Sequence, residues 1–295
     1  MLARFTAFTV LWHAFAAPAA EMFRVATWNL ENYLDAPAGS RPAKSGESKA
    51  AIREIIRAMK PDVLAVQEIG STNGLMELCA TGDFRYREFV NGYDTNIHVA
   101  VLSRLPILAS RHHTADSYLL FGRKHRVSRG FAEVTIQASP QYMFTLLAAH
   151  LKSRRTVPEG DEAAMREQES LILRGKVDAI LRANADANVI VLGDFNDLQD
   201  SKSVRALIGK GRFGLIDTRP AERACYGESS SAPRNVTWTY FYEREDTYQR
   251  VDYALLSPGM AREWNQQESF VVAEPDWGAA SDHRPVVVSV WAEDR

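Results

Sequence analysis

Apolar and polar positions come in blocks whose period changes along the chain, and each change marks an element. Phe23 to Trp28 is a mostly apolar run of strand length, ending at a polar cluster that begins with Asn29. Residues 47–60 carry Ile52, Ile55, Ile56 and Met59 at the spacing of a helix with one buried face, and Pro61 stops that helix. Val63 to Val66 reads as a short buried strand ending at Gln67-Glu68, followed by a helix near 73–80 and a strand from His98 to Leu102. Residues 131–136 and 142–149 form an expected antiparallel pair across Ser139-Pro140. An amphipathic helix over about 162–182 follows, with Leu171, Ile172, Val177, Ile180 and Leu181. Val189 to Leu192 is a buried strand stopped by Gly193, and strands are expected again over 236–242, 251–256 and 286–291. The turn-rich stretch 219–235 reads as a mobile surface loop. Alternating strands and helices with no repeat or linker predict one α/β domain over residues 20–295.

The first residues fit a different pattern. Arg4 precedes an apolar stretch from Phe5 to Phe15, broken by His13, and Ala17 and Ala19 make an A-x-A site before Ala20-Glu21. This is the layout of a secretory signal peptide over residues 1–19, too short to span a bilayer as a permanent anchor. The expectation is a secreted or periplasmic protein with no stable membrane anchor; a buried N-terminal helix is the alternative.

Composition narrows the partners. A hydrophobic share of 46% and a charged share of 24% are those of an ordinary globular chain. A net charge of −2 excludes a protein that holds nucleic acid by bulk positive charge, so attraction to phosphate needs a local basic surface or a bound metal. Cys79 and Cys225 have no metal-site spacing; a bridge between them and two free thiols both stay open.

The polar clusters fall at strand ends. Gly193-Asp194-Phe195-Asn196 leaves its strand with a carboxylate and an amide two residues apart, suited to proton transfer or metal binding and to donating to a phosphoryl oxygen. An Asx-turn leading into a helix near Ser201–Ile208 accounts for the same residues equally well. Ser281-Asp282-His283-Arg284-Pro285 precedes the last strand and sets an acid beside a group that titrates near neutrality.

Taken with Thr27-Trp28-Asn29-Leu30, Gln67-Glu68, His150-Leu151-Lys152-Ser153 and Arg250-Val251-Asp252-Tyr253, these blocks make the chain resemble the endonuclease/exonuclease/phosphatase superfamily. That superfamily includes pancreatic-type deoxyribonucleases, abasic-site endonucleases, neutral sphingomyelinases and inositol-polyphosphate 5-phosphatases. The resemblance implies a four-layer α/β sandwich with two central, mostly antiparallel β-sheets flanked by helices. It implies that Glu68 is the principal ligand of Mg²⁺, with Mn²⁺ or Ca²⁺ as substitutes, and that Asn29 and Asp282 lie nearby. His283 is then set beside the scissile phosphate and oriented by Asp252, while Asp194 and Asn196 hold the attacking water and the phosphate. His150 matches the second histidine of the pancreatic-type branch. The carboxylate that supports that histidine has no clear counterpart here, with Asp94 and Asn96 in the right region.

The substrate rests on thinner signals. Arg123 to Arg129 reads RKHRVSR, and Lys152, Arg154 and Arg155 follow His150; a nucleic-acid backbone fits such charges, as does plain solvation. Arg126, Arg129 and Lys152 are the expected phosphate contacts. Tyr118-Leu119-Leu120-Phe121 could meet a membrane but reads more readily as a core strand, and Trp264 and Trp277, in loop-like segments, read as core. The leading expectation is a nuclease acting on DNA or RNA, with no protein partner implied. A phosphoesterase for sphingomyelin-like lipids or small phosphates is the alternative on the same scaffold. A non-catalytic binding protein is the remote one, opposed by the presence of Glu68, Asp194 and His283.

Overall fold

In the computed structural model, which describes residues 21–158, 160–225, 235–274 and 277–295, two β-sheets lie face to face with helices outside. The expected signal peptide and much of loop 219–235 lie outside the described residues. Chain order begins β1 (Met22–Tyr33), α1 (Gly46–Met59), β2 (Val63–Ile69), α2 (Thr72–Gly82), β3 (Tyr86–Val90) and β4 (His98–Ser103). It continues β5 (Ile107–His113), β6 (Ser117–Leu120), β7 (Arg123–Arg126), β8 (Phe131–Gln137), β9 (Met143–His150) and α3 (Glu162–Ala183). Next come β10 (Val189–Asp194), α4 (Lys202–Ile208), β11 (Ile216–Asp217), β12 (Glu222–Arg223), β13 (Tyr240–Tyr242) and β14 (Thr247–Gln249). The last elements are β15 (Asp252–Leu256), β16 (Trp264–Val272), α5 (Trp277–Ala280) and β17 (Val286–Trp291).

The first sheet runs β12-β16-β17-β1-β2-β4-β3 and the second β11-β15-β10-β9-β8-β5. Only β1–β2, β9–β10 and β12–β16 pair in parallel, so both sheets are mostly antiparallel. Three apolar layers hold the sandwich. Val25, Val101, Val134, Leu146 and Ile190 meet between the sheets. Trp28, Ile52, Ile56 and Leu64 join the first sheet to α1, and Leu147, Val191, Leu173 and Val177 join the second to α3. Central strands buried on both faces explain why their sequences read as continuous apolar runs rather than alternation. The helices start where local chemistry allows: Ser45, Ser71 and Asp161 side chains accept the first orphan backbone N–H groups of α1, α2 and α3. Lys60 turns left-handed after α1, just before Pro61.

Several expectations fail for identifiable reasons. Tyr118 to Phe121 is no core strand: it belongs to the β6–β7 hairpin, which joins neither large sheet, so only Tyr118 is buried while Leu119 is 74% and Phe121 76% exposed. Trp264 packs half-buried against the core between the sheets as expected, but it opens β16 rather than lying in a loop, a strand hidden by its polar first half and by a register shift between Asn265 and Phe270. Trp277 opens the short α5. The strand expected over 236–242 shrinks to Tyr240–Tyr242, which pairs with β14 and bridges Tyr240 to His283. Of the two open readings of the cysteines, free thiols hold for Cys79 and Cys225.

Candidate active site

Register builds half of the site. Asp194, the last residue of β10, pairs with His150 of β9 on one side and Asp252 of β15 on the other. Residues at one level on adjacent strands project from the same face, so three chemically active side chains stand in a row. All three are buried. Gly193 makes this possible: its φ is +136°, and an added Cβ would lie 1.9 Å from the Ala149 carbonyl oxygen.

The first sheet supplies the other half. The β1–β2 and β2–β4 registers both shift past Asn29 and Val66, and Glu68 adopts a left-handed φ of 63°. Non-glycine residues rarely adopt that conformation without compensating contacts. Here the Glu68 carboxylate accepts the Asn32 N–H at 2.9 Å, and its other oxygen lies 4.0 Å from His150 Nε2. Asn29 Nδ2 donates to Asp194 Oδ2 at 2.9 Å, a direct link between the sheets.

His283 sits on the loop before β17 and is fixed from three directions. Its N–H donates to Ser281 Oγ, whose hydroxyl donates to the Asn29 carbonyl, and its own carbonyl accepts from Trp28 Nε1. Its ring Nδ1 meets Asp252 Oδ2 at 2.8 Å, which leaves Nε2 facing Asp194 Oδ2 at 3.9 Å. Asp252 is held by Thr239 Oγ1, which accepts the N–H groups of both Val251 and Asp252. Tyr240 packs its ring 4.6 Å from the His283 ring.

Charges in this largely buried site are strongly shifted. Burial, reinforced by Asp252, pushes Asp194 up to about 7. Burial works against the His283 cation, but Asp252 and Asp282 overcome it and raise that imidazole to about 10. Burial and the positive charges of Arg129 and His283 hold His150 well below its ordinary value, so it is neutral. Asp282 is raised to about 6, where burial and the nearby Glu31 and Glu68 outweigh His283.

Donor atoms of Asp194, Asp252 and His283 lie within 4.8 Å of one another, the one His/acid group among the described residues close enough to hold a metal. In that group His283 and Asp252 are already bonded to each other. Glu68, Asn29 and Asp282 lie beside it and offer oxygens, the donor set of a hard divalent cation. Burial above all raises Asp194 to about 7 and Asp282 to about 6, a penalty on their charged forms that such a cation would offset.

The expected residues are thus brought together, with exceptions on the substrate side. Asn196, at a left-handed φ of 53°, donates Nδ2 to the Leu151 carbonyl and to Asp194. Arg129 is buried and donates to the Leu151 carbonyl, behind His150. The Lys152 ammonium folds back onto the carbonyls of Ser153 and Arg155 and so caps its own loop. Arg126 is exposed, its guanidinium 5.1 Å from the Tyr93 ring. Neither Asp94 nor Asn96 supports His150: Asp94 accepts the N–H groups of Asn96 and Ile97, and His150 Nδ1 has no partner.

Other contributors were not anticipated. Arg41 reaches Asn32 Oδ1 at 2.8 Å and Glu68 Oε2 at 4.0 Å. Arg154 bonds Gln249 Oε1, tying the loop after β9 to β14. Glu169 of α3 accepts the N–H groups of Lys152 and Ser128, so one buried carboxylate anchors both loops behind His150. Its signal was available: Arg166, Glu169, Ser170 and Arg174 fall on the inward face of α3, where apolar residues are the norm.

The chain belongs to the Endonuclease/Exonuclease/phosphatase family, whose model matches residues 26–283. Members of this family generally hydrolyse phosphoester bonds and are typically dependent on divalent metals. Among solved structures, the fold is similar to an endonuclease/exonuclease/phosphatase from Bacteroides vulgatus (TM-score 0.66, 17% identity, 92% of this chain and 100% of that one). The human Nocturnin catalytic domain with bound sulfate aligns at TM-score 0.64 and 18% identity over 91% and 93% of the two chains. Truncated TDP2 from Caenorhabditis elegans gives 0.60 and 16% over 92% and 98%. At these identities the likeness establishes the fold. No curated protein sequence matches.

Proposed function

We propose that the protein is an exported, divalent-metal-dependent endonuclease that hydrolyses phosphodiester bonds of DNA, with RNA as a second substrate. The observation that carries this reading is the Asp194–His283–Asp252 constellation, a carboxylate and an imidazole facing each other with the imidazole backed by a second carboxylate.

The charges suggest a division of labour. Asp194, titrating at about 7, is placed to accept a proton from an attacking water at neutral pH. His283 is held cationic by Asp252 and is suited to stabilise negative charge growing on the phosphoryl oxygens. Neutral His150, with Nε2 3.4 Å from Asp194, orients that carboxylate and adds a donor. When bound by Glu68, Asn29 and Asp282, a hard cation supplies Lewis-acid polarisation of a phosphoryl oxygen.

The substrate assignment draws on the exposed basic residues Arg123, Lys124 and Arg126. The human Nocturnin domain, of similar fold, carries a bound sulfate, a tetrahedral oxyanion, which supports a phosphoryl ligand in general. Export rests on residues 1–19 and is checked by N-terminal sequencing of protein recovered outside the cytoplasm, which should begin at Ala20.

The deciding experiment incubates the mature protein with plasmid DNA, RNA, sphingomyelin vesicles and a chromogenic phosphodiester, with Mg²⁺, Mn²⁺, Ca²⁺ or chelator. Metal-dependent DNA cleavage that weakens steeply with salt is expected. Cleavage of lipid alone overturns the nucleic-acid reading. Glu68→Ala and His283→Ala should each lower turnover by roughly two or more orders of magnitude in a folded protein; near-normal activity in either removes the assignment.

A further inference from the structure

The two most exposed large apolar side chains among the described residues, Leu119 and Phe121, are neighbours on the β6–β7 hairpin. The turn Phe121-Gly122 has φ values of 50° and 75°, the left-handed pair of a tight two-residue hairpin, so the tip is well defined. The hairpin is firmly rooted. Tyr118 is buried and stacks on His125, Val127 N–H donates to the Asp116 carbonyl, and Asp116 pairs with Lys176 of α3 at 2.7 Å. Opposite Leu119 in the pairing stands Lys124, opposite Leu120 stands Arg123, and opposite Ser117 stands Arg126. No acid occurs from Ser117 to Ala132. The apolar tip is therefore flanked by Arg123 and Lys124, with Arg126 at the base of the hairpin, its guanidinium 5.1 Å from the Tyr93 ring.

The exit of the hairpin runs into β8, whose Phe131 pairs with Ala149, the residue before His150. On that path, three residues past Arg126, the Arg129 guanidinium bonds the Leu151 carbonyl next to His150. Glu169 clamps Ser128 and Lys152 together.

We propose that this hairpin is a wedge for double-stranded nucleic acid: Phe121 and Leu119 enter a base step while Arg123, Lys124 and Arg126 meet the flanking phosphates. The inference rests on the nuclease reading and specifies its substrate as a duplex that is locally unstacked beside the cut. The tip suits a duplex better than a lipid surface. A fourteen-carbon acyl chain needs a second anchor, such as a basic cluster of about four to eight residues, to hold a protein on a bilayer, and two side chains with three cations fall short of that. The same two side chains are enough to fill one base step, where apolar wedges commonly insert. Arg123 and Lys124 beside the tip complement phosphates spaced along a backbone.

The test uses the mature protein and an L119S/F121S variant, whose changes lie on exposed positions. A duplex oligonucleotide carrying 2-aminopurine is titrated in chelator, so that binding and unstacking are read without cleavage. The wild type should raise the fluorescence, and the variant should bind about tenfold more weakly with no rise, as expected for loss of an inserted wedge. With metal present, the variant's loss on duplex should exceed its loss on single strands. An R123Q/K124Q variant should flatten the dependence of log affinity on log salt by roughly one unit per lost phosphate contact. Equal binding and cleavage of duplex by L119S/F121S and wild type overturns the wedge and leaves the nuclease intact. Failure of the wild type to bind or cut any nucleic acid removes both. Co-sedimentation of the wild type with phosphatidylglycerol vesicles, lost in L119S/F121S, overturns the wedge in favour of a lipid surface.

Discussion

Asp194 is where the two sheets touch chemically, taking a hydrogen bond from Asn29 of the first sheet while standing between His150 and Asp252 of the second. Asp194 is raised from an ordinary 3.8 to about 7, and His283 from 6.5 to about 10. A group raised on folding contributes stability that is full below its unfolded pKa and is lost as pH climbs through its folded one. Metal-free protein should therefore lose stability in two stages, the first between 3.8 and about 7 from Asp194 and the second between 6.5 and about 10 from His283. Asp194→Asn should remove the first stage. Melting temperatures in chelator across this range check it, and an unchanged slope in the variant refutes the raised Asp194. At this scale the sequence was informative, because chemistry of this kind needs particular side chains in short motifs. It failed for Lys152, whose ammonium is drawn back to carbonyls that only the folded loop presents, and for Arg41, which no motif marks.

Elements hold these residues at their angles. The β9–β10 contact depends on Gly193, since any Cβ would enter the Ala149 carbonyl. Gly193→Ala should cost about 3 kcal/mol or more and separate Asp194 from His150, seen as a lower denaturation midpoint together with lost activity. Thr239 carries a subtler load: one hydroxyl oxygen satisfies two buried N–H groups at the start of β15. Thr239→Val should cost roughly 2–3 kcal/mol by leaving those donors unpaired, whereas Thr239→Ser should recover most of it. Urea denaturation of the two variants separates the hydroxyl from the methyl. The main strands and helices were legible because both faces of the sheets are covered and their runs are apolar throughout. The strands β12, β14 and the polar half of β16 were not, since short edge strands and bulges are set by tertiary pairing rather than by local pattern. The hairpin β6–β7 misled for the opposite reason, because four apolar residues look the same whether a second layer covers them or not.

For the whole molecule, the sandwich places half of the site on each sheet and crowds carboxylates at the seam. A cation that binds the folded state alone raises stability with its concentration. Mg²⁺ at about a hundred times its dissociation constant should add roughly 2–3 kcal/mol, an effect that Glu68→Ala should abolish. Thermal melts at increasing Mg²⁺ measure it, and an Mg²⁺ response retained in Glu68→Ala would count against that ligand. The layered fold and the joining of distant blocks into one site followed from the resemblance in the sequence, whereas the orientation of the two halves required coordinates. The pairing of β1 with β17 matches Met22 with Trp291 and Thr27 with Val286, so among the described residues the first strand is completed only by the last. A ribosome must therefore have passed His283 and β17 before the first sheet can close or the imidazole reach Asp252. A fragment that ends before His283 therefore lacks this site, however completely the second sheet has folded.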